Sequence, residues 1–169
     1  MRAFFLLLIC TLSLCAETVA GLKWTPPAGW KSSGTTSMRA ATYPVAPVAG
    51  DKDAAECAVY FFGLGQGGSV QANLDRWTGQ FKTSGKPAAA KVAKITIHGL
   101  PVTTIDVSGE YSGMGGPMTQ GPAKSGYRLL GAIVEGPGGN LFIKFAGPAK
   151  TVAANQQRFD KFLQTFSKD

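Results

Sequence analysis

Gly63-Leu64-Gly65-Gln66-Gly67-Gly68 satisfies the spacing G-x-G-x-x-G, after the apolar run Ala58–Phe62 and before a helical pattern. That order is the one a dinucleotide-binding loop requires, with glycines that let the backbone approach a pyrophosphate at a helix N-terminus. Such a site also needs an acidic residue about 20 positions further on, to hold the ribose. No Asp or Glu lies between Asp75 and Asp106. The segments that follow read as hairpins rather than parallel βαβ units. No cofactor is therefore expected, and the glycines are read as permitting positive φ in a tight strand-to-helix connection. The functional alternative is an anion held by free N–H groups at the helix start. Its binding residues would be Gly65, Gln66, Gly67, Gly68 and Ser69.

Other reactive side chains are sparse. His98 is the one histidine, on the polar side of a strand beside a turn. Cys57 lies in a buried-strand pattern, and neither residue has partners at the spacing of a metal site, which needs three or four ligands. No metal site and no catalytic residue are assigned. Asp106 and Glu110 share one strand parity, but nothing in the sequence gathers them with His98 into a cleft. The reading leans away from an enzyme.

Two groups suit recognition instead. Asn73, Arg76 and Gln80 fall three and four residues apart, on one helical stripe. They form either a polar face bonded to nearby loops or a recognition surface anchored by Arg76, a residue type favoured at interface hot spots. The stretch Gly109–Gly126 carries Tyr111, Met114 and Met118 among glycines and prolines. It is read either as an adaptable binding loop, using the soft methionine side chain, or as disorder.

The elements that must position these residues follow from periodicity. Thr36–Tyr43 reads as a strand, and Ala58–Phe62 as a central strand covered on both faces. Ser69 is a candidate N-cap, and Val70, Leu74, Trp77 and Phe81 form one helical face. Lys82–Ala90 reads as a linker. Residues 95–97 and 103–107 alternate apolar and polar about Gly99-Leu100-Pro101, giving a hairpin. Tyr127–Glu135 and Leu141–Ala146 give a second, across Gly136-Pro137-Gly138-Gly139-Asn140. Pro148 opens a final helix with Val152, Phe159, Phe162, Leu163 and Phe166 on its apolar face. Short links imply antiparallel pairing. The expected fold class is α+β, with a single antiparallel β-sheet covered by two amphipathic helices.

The ends and the charge bound the setting. Arg2, the apolar run Phe4–Leu14 and the small residues ending at Ala20 follow the order of a secretory signal peptide. The apolar run is shorter than the about 20 residues that span a bilayer. Cleavage is expected after Ala20, with Ala16 as the alternative. This gives a signal peptide over 1–20, one domain over 21–169 and an extracytoplasmic, periplasmic or secreted, location. Cys15 lacks the small preceding residue of a lipoprotein signal. Cys10 and Cys15 lie in the leader, so Cys57 is left without an internal disulfide partner. The net charge of +7 favours anionic partners such as envelope polymers or headgroups, or serves solubility alone. The cluster Lys82, Lys86, Lys91 and Lys94 reads as a solvated face. With no arginine-rich run and no aromatic–basic interleaving, specific nucleic-acid binding is not expected. Trp24 and Trp30, in a segment with Pro26, Pro27 and Gly29, read as anchors onto the core, with sugar stacking as the alternative.

Phe62-Gly63, Gly65–Ser69, Asn73, Arg76-Trp77 and Gln80-Phe81, with Trp24…Pro27-Ala28-Gly29-Trp30 and the closing Phe159–Phe166 segment, resemble an uncharacterised family of exported bacterial proteins. The shared pattern is FG-x-GQGGS-x-x-x-N-x-x-RW-x-x-QF. The overall layout is similar to the PsbP-like fold, whose members are mostly non-enzymatic partners of larger assemblies. The resemblance implies export and fold, without an activity. The expected function is a non-catalytic exported domain that binds a protein or an envelope component. The alternative is a small-molecule or anion-binding module using Gly63–Ser69 and the Gly109–Gly126 loop.

Overall fold

The computed structural model describes residues 16–113 and 123–169. In chain order the elements are β1 (Glu17–Val19), β2 (Leu22–Trp24), β3 (Arg39–Val45), β4 (Ala55–Phe61), α1 (Val70–Thr78), β5 (Phe81–Thr83), β6 (Lys86–Pro87), β7 (Ala90–Ile97), β8 (Leu100–Tyr111), β9 (Lys124–Gly136), β10 (Gly139–Pro148), α2 (Ala149–Ala154), α3 (Gln156–Leu163) and β11 (Ser167–Lys168). There are two sheets. One has three strands in the order β1-β2-β11. The other has eight, running β3-β4-β10-β9-β8-β5-β6, with β7 also paired to β8. Every strand pair is antiparallel.

This corrects the expected α+β arrangement of one sheet under two helices. The described residues are 48% strand and 16% helix, so the fold is mostly β, and the three helices among them are short. Three local causes account for the difference. The final helical pattern is interrupted at Asn155 (φ −107°, ψ 5°), whose Nδ2 donates to the Thr151 carbonyl at 2.9 Å and closes α2 before α3 starts. Phe166 therefore falls beyond α3, where it stacks on Trp24 at 5.4 Å, and β11 then pairs with β2. The Lys82–Ala90 linker is a β5–β6 hairpin turned by Ser84 (φ 50°) and Gly85 (φ 74°), so Phe81 begins a strand instead of ending a helix. Residues at both ends of the Gly109–Gly126 stretch belong to β8 and β9, and Met114 and Met118 lie outside the described residues.

The central strands are apolar on both parities because both faces of the large sheet are covered. On one face Cys57, Val59, Leu130, Ala132, Ile143 and Phe145 pack with Phe159, Phe162, Trp24 and Trp30. On the other, Ile105, Leu129, Ile133 and Phe142 pack with Leu74, Trp77 and Phe81. Trp24 and Trp30 are buried core anchors, at 1% and 6% exposure, which leaves no ring face for a sugar. The β7–β8 turn is His98 (φ 47°) and Gly99 (φ 77°), one step earlier than the Gly99-Leu100-Pro101 reading. A turn with both central residues at positive φ matches the twist of the strands it joins.

Candidate functional site

β10 reads Leu141-Phe142-Ile143-Lys144-Phe145-Ala146, a central strand with one charge in it. Strand parity turns Lys144 to the α1 face, with Phe142 and Ala146, where it pairs in register with Ala58 on β4 and Gly131 on β9. Gly131 matters to this neighbourhood. A Cβ there would stand 2.7 Å from Trp77 Cζ3 and 2.8 Å from Ile105 Cγ2, so the missing side chain lets the indole lie close on the sheet. Lys144 Nζ sits 5.7 Å from the Trp77 ring centroid and donates to Gln80 Oε1 at 3.1 Å.

A cleft of about 360 Å³ opens here, lined by Met38, Tyr60, Phe62, Arg76, Trp77, Gln80, Phe142 and Lys144. A second hollow of about 260 Å³ shares Tyr60 and Lys144 and continues along Glu56, Tyr111, Tyr127 and Ala146. Lys144 stands where the two meet. It is only 7% exposed and, among the described residues, forms no ion pair. Burial, and then the charges of Arg76 and Arg39, push its ammonium down to about 8 from an ordinary value of 10.5. Desolvation and like charge both disfavour the protonated amine.

The surrounding charges are unevenly spent. Arg39 pairs with Glu56 at 2.8 Å and lies over the Tyr60 ring. Asp53 accepts from Lys124 at 2.8 Å and from Tyr127 at 2.5 Å, and these two donors hold its carboxyl below the usual range. Tyr111 stacks between Phe81 and Tyr127, at 4.9 and 5.7 Å, and burial pushes its phenol up to about 12. Arg76 bonds to Asn73 Oδ1 and, among the described residues, to no carboxylate. The wall thus carries positive charge above apolar and aromatic surface, with its nearby carboxylates already engaged. That arrangement suits an organic anion.

The structure divides the sequence-derived residues. Arg76 and Gln80 line the cleft, and Tyr111 lines the adjoining hollow. Asn73 does not join them on a surface stripe. It is fully buried, and its Nδ2 ties down the carbonyls of Gly67 at 2.8 Å and Ser69 at 2.9 Å. Gly65, Gln66, Gly67, Gly68 and Ser69 do not line the cleft. Ser69 caps α1 through Oγ, which accepts from the Ala72 N–H at 3.1 Å. Gly67 (φ 88°) lies so close to the rings of Phe142 and Phe62 that a Cβ would stand 2.6 and 2.8 Å from them. The glycine turn therefore supports the aromatic wall from behind. Met114 lies outside the described residues.

The remaining reactive groups are dispersed. His98 Nδ1–H donates to the Phe166 carbonyl at 2.9 Å, at the hairpin tip. Asp106 takes two bonds from Arg128, at 2.8 and 2.7 Å, and Glu110 stands opposite Lys82 near the far end of β8. Cys57 is fully buried, and that burial holds its thiol well above its ordinary range. No group of three His, Cys, Asp or Glu suited to a metal occurs among the described residues, and no helix among them is long and apolar enough to cross a membrane. Lys144 is the residue the sequence reading missed. The signal was a lone charge inside a strand otherwise apolar on both parities.

No protein-family model matches the chain, and no curated protein matches it significantly. Solved structures do. A Pseudomonas aeruginosa protein of unknown function, described as a candidate regulator, aligns at a TM-score of 0.52 and 11% identity over 92% of this chain and 96% of its own. Cyanobacterial PsbP (CyanoP) from Synechocystis aligns at a TM-score of 0.53 and 10% identity, covering 92% of this chain and 91% of its own. At such identities the likeness speaks for architecture alone: the chain has a PsbP-like fold.

Proposed function

We propose that this chain is an exported, non-catalytic binding module whose Lys144 cleft takes a small organic anion. The observation that carries the reading is a lysine at 7% exposure, without a carboxylate partner among the described residues, flanked by the guanidinium of Arg76 and the rings of Trp77, Phe62 and Phe142. An isolated buried ammonium is costly, and a bound anion would offset that cost. Small-molecule pockets are mostly apolar with a few convergent polar groups, and this cleft has that character. The binding site moves from the Gly63–Ser69 turn to the wall that the turn supports. The family of exported bacterial proteins sharing the GQGGS segment is the proposed kinship, with the mature domain outside the cytoplasm.

The test is thermal unfolding of the full chain with phenylacetate, phenyl phosphate and their neutral amide or ester counterparts. A ligand of the native state raises its stability by mass action. The anions are expected to raise the midpoint and their neutral counterparts to leave it unchanged. The effect should disappear in K144M and shrink in R76Q. An equal rise in K144M would count against the site.

A second reading is attachment to a protein or an anionic envelope component. It is favoured by β7, which among the described residues pairs only with β8 and presents Val92 and Ile95 at 50% and 39% exposure beside Lys91 and Lys94. Strand edges of this kind accept an added strand. Pull-down of an acidic extended peptide, abolished by a proline at Val92, would support it.

A further inference from the structure

We propose that Lys144 is a nucleophilic amine that captures, as an imine, a carbonyl compound bearing a neighbouring carboxylate. The inference rests on the anion-binding reading of the same cleft and goes beyond it, from contact to covalent chemistry.

Three features of the surroundings carry it. First, Lys144 lines both hollows, and its Nζ lies beside Gln80 on the wall of the larger one, so its burial is against open space and not sealed core. Second, the groups facing it leave the neutral amine accessible. Arg76 on α1 and Arg39 on β3 bring positive charge. Glu56 on β4 is engaged by Arg39, and Tyr111 and Tyr127, on β8 and β9, are phenols whose ionisation burial opposes. Tyr60 on β4 is likewise pushed up by burial. With the ammonium at about 8, about a tenth of the amine is free at neutral pH, against a far smaller share for an ordinary lysine. Lysines activated as imine-forming nucleophiles owe their state to desolvation or to a neighbouring cation, and Lys144 has both. Third, its hydrogen-bond partner among the described residues is the amide oxygen of Gln80, which accepts from a neutral amine as well as from an ammonium.

The ligand class follows from the walls. Arg76 offers a planar fork to a carboxylate, and Phe62, Trp77 and Phe142 offer apolar surface to the rest of the molecule. A 2-oxo acid or an aldehyde acid places its carbonyl carbon one bond from that carboxylate. The amine lone pair forms the C–N bond as the carbonyl π pair moves to oxygen. The two amine hydrogens then leave with that oxygen as one water, and C=N remains. Nothing is oxidised or reduced, so no co-reactant is needed.

The test is chemical trapping on the full-length wild-type chain, which requires no variant to fold. Glyoxylate is added at pH 7 with cyanoborohydride, acetaldehyde is run in parallel, and labelled lysines are mapped by peptide mass. Lys144 is expected to label at least about tenfold faster with glyoxylate than the average exposed lysine. That advantage should fall with acetaldehyde and in R76Q. Labelling of Lys144 no faster than exposed lysines with either reagent would overturn the nucleophile. An equal advantage with both reagents would overturn the carboxylate requirement. Phenylacetate has no electrophilic carbonyl, so its stabilisation of the protein reports binding alone. Stabilisation without selective trapping would defeat this inference and leave the binding reading standing.

Discussion

Lys144 is the residue on which the account turns, and its energetics can be signed. Its folded-state pKa of about 8 lies below the ordinary 10.5 of an unfolded lysine. Between those values the unfolded chain binds the extra proton, so stability rises with pH across that window. Below about pH 8 both states are charged and the full cost of burial is present, on the order of 3 kcal/mol for a displacement of this size. K144M is therefore expected to be more stable than the wild type at pH 7, with the difference narrowing as pH rises toward 10.5. Urea unfolding of the pair across that range checks it, since titrations common to both proteins cancel. A wild type more stable than K144M at pH 7 would mean that the amine has an anionic partner in the fold. Gly67 supplies a second residue-scale expectation. G65A meets open space and bears only the cost of its φ of 69°, about 1 kcal/mol. G67A also drives a methyl into Phe142 and Phe62, and should cost about 1–3 kcal/mol more. Equal losses by urea unfolding would show that the turn does not brace the cleft wall.

Among the elements, the β1–β2 hairpin bears most directly on where the folded unit starts. Ala20 (φ 56°) and Gly21 (φ 73°) form its turn, and the Gly138 N–H donates to the Ala20 carbonyl at 3.1 Å. Tyr43 is fully buried; its hydroxyl accepts from Trp24 Nε1–H at 2.9 Å and donates to Glu17 Oε2 at 2.8 Å. A chain beginning at Gly21 leaves that hydroxyl proton without its acceptor. It should be less stable by about 1–3 kcal/mol than one beginning at Glu17, as read by urea unfolding. Y43F should erase much of the difference, and an equal loss in the Y43F background would exclude the hydroxyl as its cause. The hairpin also marks the limit of what the sequence disclosed. Thr18-Val19-Ala20 fits the end of a leader, and nothing in the short-range pattern discloses that Glu17–Val19 pairs as an edge strand with Leu22–Trp24. α1 was legible, because Ser69 caps it and Leu74 and Trp77 recur at helical spacing. The α2–α3 break was not, because the apolar spacing runs on past Asn155 and only its backbone and side-chain bonds end the helix.

Across the whole molecule, the β7–β8 and β9–β10 hairpins were readable from strand pattern and short turns, whereas the β8–β9 pairing that joins them was not, because Gly109–Gly126 reads as a long loop. The second sheet was not readable, since it joins Glu17–Trp24 to Ser167–Lys168, segments far apart in sequence, through pairs of two and three residues. The cleft was half-legible for a similar reason. Arg76 and Gln80 lie close in sequence, Arg76 in the last turn of α1 and Gln80 just past its end. Lys144 joins them only through the register that sets β10 beside β4 and β9, under Trp77. The net charge of +7 suits attraction of anions at a distance, while specificity rests with the cleft. The most direct measurement is an NMR titration of the isotopically labelled protein with phenylacetate. Saturable shifts are expected at the Trp77 indole N–H, the Gln80 side-chain amide and the backbone of Phe142 and Lys144, with Gly65–Ser69 changing little. Shifts confined to Gly65–Ser69, or no saturable shift around Lys144, would contradict it.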